Sequence, residues 1–278
     1  MPIPALIVSF VLPVFAAGPA QSIADLEREA GERYRRGSYQ EAERLQEKVL
    51  QLYKDTAGTP PGDLENACYR LAGIYLAQGK LTLAEQYAEA ASSHQRRSAS
   101  SADRARILNM FAQIRFQQRR YQEAAETQEK AVRLMEPDGP STGLARMIND
   151  LAMIRAATGE LRLARPLLER AVELHRQSAG QPDDGAGETL GNLALVCARQ
   201  GDYREAEANY RQAVGLMERT RGPYHPHLGM LLSEYSAVLK KNGRKAEARA
   251  MDRRAKAILQ SARLPAREVI DASALRQP

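Results

Sequence analysis

The chain is poor in the residues that build large compact cores and disulfide scaffolds. Among its 278 residues there is no Trp, there are four Phe, and aromatic residues make up only 5%. Neither a large compact core nor an aromatic-lined pocket is expected, since aromatic side chains supply much of the buried area in both. The two cysteines, Cys68 and Cys197, are too few for a disulfide framework. Both fall in apolar stripes of predicted helices, which predicts buried free thiols rather than a bridge or a metal site.

One segment matches the nucleophile motif of serine hydrolases on paper. Gly139-Pro140-Ser141-Thr142-Gly143 has the Gly-x-Ser-x-Gly form, but that motif requires a preceding strand and an α/β sheet. A predicted helix precedes the segment here, so Ser141 or Thr142 is interpreted as the N-cap of the next helix.

Metal and cofactor motifs are also missing. The four histidines include no His-x-x-x-His pair, and His225-Pro226-His227 is interpreted as a loop feature. Asp183-Asp184-Gly185 lacks the alternating oxygen ligands of a calcium loop, and there is no glycine-rich phosphate loop. The sequence therefore predicts no catalytic residues, no metal and no cofactor.

The basic charge does not have the pattern of a nucleic-acid-binding surface. Net charge is +6 and the isoelectric point is near 9.4, which allows acidic partners. The arginines are spread along the helices and mostly adjoin glutamate, as in Glu27-Arg28-Glu29. No basic stripe with interleaved aromatics is present, so a solvated, salt-bridged surface is predicted and nucleic-acid binding is not.

The N-terminal segment has the layout of a secretory signal peptide. Residues 3–17 carry no charge, and they are too short and too interrupted by Pro4 and Pro13 for a comfortable membrane span. Small residues follow, which predicts a signal peptide at 1–20 with cleavage after Ala20 and a periplasmic or cell-envelope location. The segment before the apolar run has no Lys or Arg, so a retained N-terminal anchor is the alternative.

The remainder of the chain repeats a turn of the form Gly-x-Tyr/Leu-x-x-Ala. The spacings between successive turns are 42, 40, 40, 42 and 42 residues, and a near-constant period of this length indicates a solenoid. The first residues of the six turns are Gly37, Gly79, Arg119, Gly159, Gly201 and Gly243.

Two columns of small residues follow each turn. The first is the Ala that ends the motif, and the second lies seven residues later, close to two helical turns, so both share one helix face. They must be small because two helices cross there. The second column is Val49, Ala91, Ala131, Ala171, Ala213 and Ala255.

Clusters of Gly, Pro, Asp and Ser interrupt the helical pattern at one phase of every repeat. Ser22, followed by Asp25, marks the predicted start of the first helix. The predicted solenoid at 21–262 is followed by a tail at 263–278. Its six repeats cover about 23–58, 63–98, 103–138, 143–178, 185–220 and 227–262.

These features resemble tetratricopeptide repeats, and more narrowly the longer repeat of kinesin light chains. Residues 218–226 are similar to the loop of that subtype, and Leu190-Gly191-Asn192-Leu193-Ala194 is similar to the helix after it. The resemblance covers about residues 23–262 and implies an all-α fold, a right-handed α–α superhelix (TPR solenoid) of about six helix-turn-helix repeats. Arg119 departs from the pattern because it replaces a turn glycine.

The resemblance further implies that the first helix of each pair lines a concave groove, which holds an extended peptide or a helix of a partner protein. A row of Asn could hold a peptide backbone, Arg could pair with acidic side chains, and further residues would add apolar contact. These candidates are Asn66, Asn109, Asn149 and Asn192, then Arg106 and Arg146, then Tyr69, Gln113, Phe116 and Met153.

The predicted function is a non-enzymatic protein–protein interaction scaffold or adaptor that binds a partner segment in this groove. The alternative is a membrane-tethered accessory subunit of an envelope or secretion assembly. Neither the partner nor the oligomeric state follows from the sequence.

Overall fold

A computed structural model describes residues 22–95, 99–178 and 185–261, and every regular element in these ranges is helical. The predicted signal segment at 1–20 and the predicted tail at 263–278 lie outside the described residues. The elements are α1 Ile23–Arg35, α2 Tyr39–Asp55, α3 Pro61–Ala77, α4 Leu81–His94, α5 Ser101–Gln117, α6 Tyr121–Met135, a 3₁₀ turn Glu136–Asp138, α7 Thr142–Ala157, α8 Leu161–Gln177, α9 Ala186–Arg199, α10 Tyr203–Arg221, α11 Pro226–Lys241 and α12 Lys245–Ser261.

The turn inside each repeat is closed by a residue in the left-handed conformation. The five turn glycines have φ between 72° and 87°, and Arg119 has φ 63° at the same position. The residue that follows this left-handed residue donates its backbone N–H back to the first helix. Ser38 donates to Arg33 O at 2.9 Å, and Arg120 donates to Arg115 O at 2.9 Å. This bond pattern is the Schellman motif, which satisfies carbonyls that the helix end leaves unpaired.

Short polar side chains start several of the helices, as predicted. Ser22 Oγ accepts from the backbone N–H of Asp25 at 3.1 Å. Ser141 Oγ accepts from the N–H of Leu144 at 3.1 Å, which confirms its role as the N-cap of α7.

The interpretation of residues 225–227 as a loop feature was wrong in part, because α11 begins at Pro226. Proline fits the first helical position, where no N–H is required.

The core lies between helices in successive layers, and the two predicted small columns lie at its centre. All six Ala residues of the first column have no exposed surface, and the second column is at most 1% exposed. The helices of a pair pack on each other, and each second helix packs on the next first helix. First helices also contact one another, α3 with α5, α5 with α7, α7 with α9 and α9 with α11. The observed architecture confirms the predicted all-α repeat superhelix.

Amide side chains at the ends of first helices join neighbouring repeats. Three of these amides donate to the backbone carbonyl at the start of the previous repeat's second helix, whereas Gln118 donates to the Glu85 carboxylate at 2.9 Å. The bonds are Gln78 to Tyr39 O at 3.2 Å, Gln200 to Leu161 O at 3.2 Å and Asn242 to Tyr203 O at 3.0 Å. Three interfaces are therefore held in register by the same contact.

Candidate functional site: the inner face of the first helices

The first helices α3, α5, α7 and α9 carry all ten predicted groove residues. The side-chain hydrogen bonds among them run from each helix to the next, so the candidate site is a strip across four repeats. We call this strip the inner polar ladder; it consists of Glu65, Asn66, Arg106, Asn109, Gln113, Asn149, Asp150 and Asn192.

Arg106 is the link between α3 and α5. Its Nη2 donates to Asn66 Oδ1 at 2.9 Å and to Glu65 Oε1 at 3.2 Å. Its guanidinium carbon also lies 4.4 Å from the centroid of the Tyr69 ring, in cation–π geometry. Three predicted residues, Asn66, Tyr69 and Arg106, therefore form one cluster, and the outer edge of Arg106 stays open to solvent.

Asp150 is the centre of the next cluster, and sequence reasoning missed it. Asn109 Nδ2 donates to Asp150 Oδ2 at 2.8 Å, and Gln113 Nε2 donates to Asn109 Oδ1 at 2.9 Å. Asn109 Nδ2 also reaches the Oε1 of the buried Gln128 at 3.3 Å. Burial raises the pKa of the Asp150 carboxyl, although the hydrogen bonds from Asn109, Asn149 and Gln113 act in the opposite direction.

The ladder continues through α7 to α9. Asn149 Nδ2 donates to Asp150 Oδ1 at 3.3 Å, and Asn192 Nδ2 donates to Asn149 Oδ1 at 2.9 Å. An amide nitrogen has two N–H groups. The bonds described above use both N–H groups of the Asn109 amide. They use only one N–H group of Asn149 and one of Asn192. Among the amide side chains, Asn149 and Asn192 therefore keep more N–H capacity for a ligand than Asn109 on α5.

The other three predicted residues lie on the same helices without joining these bonds. Arg146 is exposed on α7, and its aliphatic stem adjoins Gly185, where an added methyl would lie 3.4 Å from Arg146 Cγ. The ring of Phe116 packs edge-on against Tyr121 with centroids 5.4 Å apart. Met153 is partly buried on α7.

A positional signal could have revealed Asp150. Asn192 lies nine residues before its turn, one residue off the column of Asn109 and Asn149. Asp150 and Glu234 also lie nine residues before their turns. Tyr210 donates its hydroxyl to Glu234 Oε2 at 3.2 Å. Burial raises the pKa of Glu234 to about 7, and the Tyr210 bond opposes that shift.

The charge of the face changes sign along the superhelix. Arg106 and Arg146 lie thirteen residues before their turns, and the next member of that column is Glu188. The Glu188 carboxylate contacts Arg221 Nη1 and His227 Nδ1, each at 2.7 Å. In this column, basic residues therefore occur in the third and fourth repeats and an acidic residue in the fifth.

The two cysteines and the serine of the Gly-x-Ser-x-Gly segment are accounted for by burial and by helix capping. Cys68 and Cys197 are buried and not disulfide-bonded, as predicted, and burial raises the pKa of the Cys197 thiol to about 11. Ser141 caps a helix, as described above. Within the described ranges, no three His, Cys, Asp or Glu side chains group so as to hold a metal ion. None of the helices described is long and apolar enough to cross a bilayer.

Comparison of the chain with protein families decides its classification. The tetratricopeptide repeat model matches residues 63–136, 143–218 and 185–261, and a second model of the same name matches residues 34–63. The chain belongs to the tetratricopeptide repeat family. This confirms the predicted fold class and the resemblance from which it followed.

Several solved structures share the fold. BtubC (BKLC) from P. vanneervenii is 23% identical with a TM-score of 0.64, covering 85% of this chain and 91% of its own. The nearly identical TPR-like repeats assigned to a kinesin light chain of P. anserina are 21% identical with a TM-score of 0.56, covering 72% and 96%. A Rap protein complexed with competence and sporulation factor is 10% identical with a TM-score of 0.63, covering 86% and 75%. No curated protein matches the chain by sequence.

Proposed function

We propose that the protein is a non-enzymatic scaffold or adaptor that binds a segment of a partner protein along the inner polar ladder. The observation that carries this proposal is the continuity of the ladder, because Asn, Gln, Arg and Asp side chains of four successive first helices hold one another in place. Side chains fixed by mutual hydrogen bonds lose less conformational entropy when a ligand binds. A TPR fold is typically a protein-binding scaffold, and the Rap neighbour was solved with a bound factor.

The open capacity of the ladder favours a partner segment in extended conformation. Asn149 and Asn192 each keep an amide N–H that a backbone carbonyl could accept from, and Gln113 and Arg146 are exposed beside them. Such bonds hold a peptide without reading most of its side chains. Specificity would then come from charge, with Arg146 favouring an acidic residue.

Capture of partners from native extract tests this proposal. The double variant Gln113→Ala, Arg146→Ala removes two exposed inner-face side chains, and we expect it to recover at least tenfold less partner with an unchanged melting temperature. The matched control is Gln122→Ala, Arg162→Ala, which removes the same residue types from α6 and α8, the second helices of their pairs. Equal recovery by wild type and the inner-face variant would contradict the groove assignment.

We further propose that the protein is exported to the periplasm or cell envelope. The support is the uncharged apolar stretch at 3–17 and the small residues after it, which lie outside the described residues. N-terminal sequencing of the protein from its native host tests this. A mature chain that begins near Gln21 supports cleavage, whereas an intact N-terminus in the membrane fraction supports the tethered accessory subunit.

A further inference from the structure

The outer side of α12 closes the described part of the superhelix. In earlier repeats the same side of the second helix carries carboxylates that accept hydrogen bonds from the next repeat. Glu43, six residues after the first residue of its turn, accepts from Gln78 Nε2 at 2.7 Å. Glu129, ten residues after the first residue of its turn, accepts from Arg155 Nη2 at 2.6 Å. These two positions therefore mark the side of a second helix that faces the next layer.

In the last repeat both of these positions are basic. Arg249 lies six residues and Arg253 ten residues after Gly243, and both side chains are exposed. The fourth repeat already has an arginine at the first position, Arg165, whose Nη2 donates to Glu205 Oε2 of the next repeat at 2.6 Å. An arginine on this side is thus paired with an anionic oxygen of the neighbouring layer. Among the described residues, no further layer offers such an oxygen to Arg249.

Two lysines replace an aromatic pair at the same end of the molecule. In the first repeat, Tyr34 and Tyr39 lie three residues before and two residues after the first residue of the turn, and their ring centroids are 5.4 Å apart. The last repeat has Lys240 and Lys245 at these positions, and both lysines are exposed. Side chains that pack on each other in an earlier repeat are therefore replaced by two positive charges at neighbouring positions.

Together these residues form a basic strip, which we call the end face. Its α12 members recur every three or four residues, so they lie on one side of the helix over a length of about 16 Å. Asp252 is an acidic residue beside the strip, and it pairs with Lys256 at 3.0 Å. Within the described ranges, the other four basic residues form no ion pair. The end face consists of Lys240, Lys245, Arg249, Arg253 and Lys256.

The chemistry of the end face favours a lipid surface over a protein partner. The end of a solenoid needs polar residues, but it does not need charges of one sign. Protein interfaces are usually centred on aromatic or aliphatic anchors, whereas the exposed residues beside this strip include Ala246 and Ala257. A second copy stacked end to end is disfavoured, because Arg36, one residue before its turn as Gln78 is, would lie against Arg249. Anionic headgroups require only basic side chains on an even surface.

We propose that the end face binds the surface of a bilayer that contains anionic phospholipids. The guanidinium and ammonium groups contact the lipid phosphates, and α12 lies parallel to the bilayer without entering the hydrocarbon. The inner polar ladder, on α3, α5, α7 and α9, takes no part in this contact. The inference therefore goes beyond the scaffold function and does not depend on it.

Vesicle flotation with the full chain tests the proposal. The vesicles consist of phosphatidylcholine alone or of phosphatidylcholine with about one-third phosphatidylglycerol, which supplies the negative surface potential. Each basic residue at such a surface strengthens binding roughly fivefold, so we expect binding to the anionic vesicles to be at least tenfold stronger at low salt. Salt at about 0.5 M should remove this preference, because it screens charges over a few ångströms.

A matched pair of variants locates the contact. The double variant Arg249→Gln, Arg253→Gln removes two charges of the end face, and we expect it to bind anionic vesicles at least tenfold more weakly than wild type. The control, Arg204→Gln, Arg219→Gln, removes the same charge from exposed positions of α10 and should bind within about twofold of wild type. All four arginines are exposed, so neither variant should change the helix content measured by circular dichroism.

A label on the end face keeps the test valid if the N-terminal apolar segment itself enters the vesicles. Gln260→Cys provides an exposed thiol four residues after Lys256, on the same side of α12, whereas Cys68 and Cys197 are buried. An environment-sensitive nitrobenzoxadiazole fluorophore on this thiol should gain emission with anionic vesicles and show no change with neutral ones.

Several outcomes would overturn the proposal. A label that responds equally to anionic and neutral vesicles contradicts it, and so does equal binding of anionic vesicles by the end-face variant and the α10 control. Retention of wild type on immobilised poly-glutamate, lost in the end-face variant and without any preference for anionic vesicles, would assign the end face to an acidic protein instead. Concentration-dependent self-association that the end-face variant abolishes would assign it to a second copy of the chain.

Discussion

At the scale of single residues, the inner face is organised by carboxyl groups that are partly withdrawn from water. Asp150 joins α5 and α7 through amide donors, and Glu234 joins α10 and α11 through the Tyr210 hydroxyl. Burial raises the pKa of both carboxyls. A carboxyl whose pKa is higher in the folded than in the unfolded state binds its proton more tightly when folded. Stability from such groups is fully present below the unfolded pKa and is lost as pH rises through the folded pKa.

This linkage predicts a specific pH dependence for Glu234. Its pKa is about 7 in the folded protein, against 4.5 for the ordinary group. The free energy of unfolding that this carboxyl contributes is therefore lost between roughly pH 4.5 and 7. At pH 8 we expect the free energy of unfolding of Glu234→Gln to be about 2 kcal/mol higher than that of wild type. At pH 5 we expect the two free energies of unfolding to be nearly equal. Urea denaturation at both pH values measures this. A difference of the same size at both would show that the carboxyl does not titrate in this range.

Glycines within the helices differ in what an added methyl group would meet. On Gly187 of α9 it would lie 2.8 Å from Met217 Cγ, inside a tightly packed interface. We expect Gly187→Ala to lower the free energy of unfolding by about 1–2 kcal/mol, since overpacking outweighs the gain in helix propensity. Gly215→Ala is the control. Because the surroundings of Gly215 are open, the higher helix propensity of alanine should raise the free energy of unfolding by roughly 0.5–1 kcal/mol. Thermal or urea unfolding compares the two, and equal shifts would contradict the packing argument.

At the scale of elements, each repeat depends on a helix end whose turn residue has positive φ. Five repeats use glycine there, and the third uses Arg119 at φ 63°. The left-handed conformation costs a residue with a Cβ roughly 1–2 kcal/mol. The α5–α6 turn is formed nonetheless, since its Schellman bond from Arg120 to Arg115 O matches those of the other repeats.

A substitution at this turn should therefore stabilise the protein. We expect Arg119→Gly to raise the free energy of unfolding by about 0.5–1 kcal/mol, because glycine relieves the strain and loses some of that gain through unfolded-state entropy. The reverse change, Gly159→Ala in the next turn, should lower it by about 1 kcal/mol. Chemical denaturation measures both, and a destabilised Arg119→Gly would show that the arginine side chain makes a compensating contact.

At the scale of the whole molecule, stability is a sum over neighbouring layers rather than the property of one central core. Buried residues fall into three clusters that follow one another along the superhelix. The helices of the end repeats have neighbours on one side only among the described residues. In solenoids each repeat contacts only its neighbours, so end repeats open before internal ones.

Hydrogen exchange should show this gradient. We expect amides of α5–α8 to be protected longest and those of α1, α2 and α12 to exchange earliest, by at least tenfold. Exchange measured by mass spectrometry on peptic fragments tests this. Uniform protection along the chain would mean that the array unfolds as one cooperative unit.

Much of the candidate site could be predicted because the repeat period assigns residues to faces. The columns of Asn109 and Asn149 and of Arg106 and Arg146 follow from their distance to the turn, and the structure places them on adjacent first helices. Asp150 was missed since a carboxylate beside an Asn on a helix ordinarily indicates exposed surface.

The sequence by itself determined the helix pairs, the turn positions and the small residues at helix crossings. These features depend on local conformational preference and on a repeat period of about 40 residues, and both can be read from the amino-acid sequence. Only the tertiary structure decided which polar side chains bond to one another across repeats. Those features depend on distances between helices, which the spacing of residues within one helix does not encode.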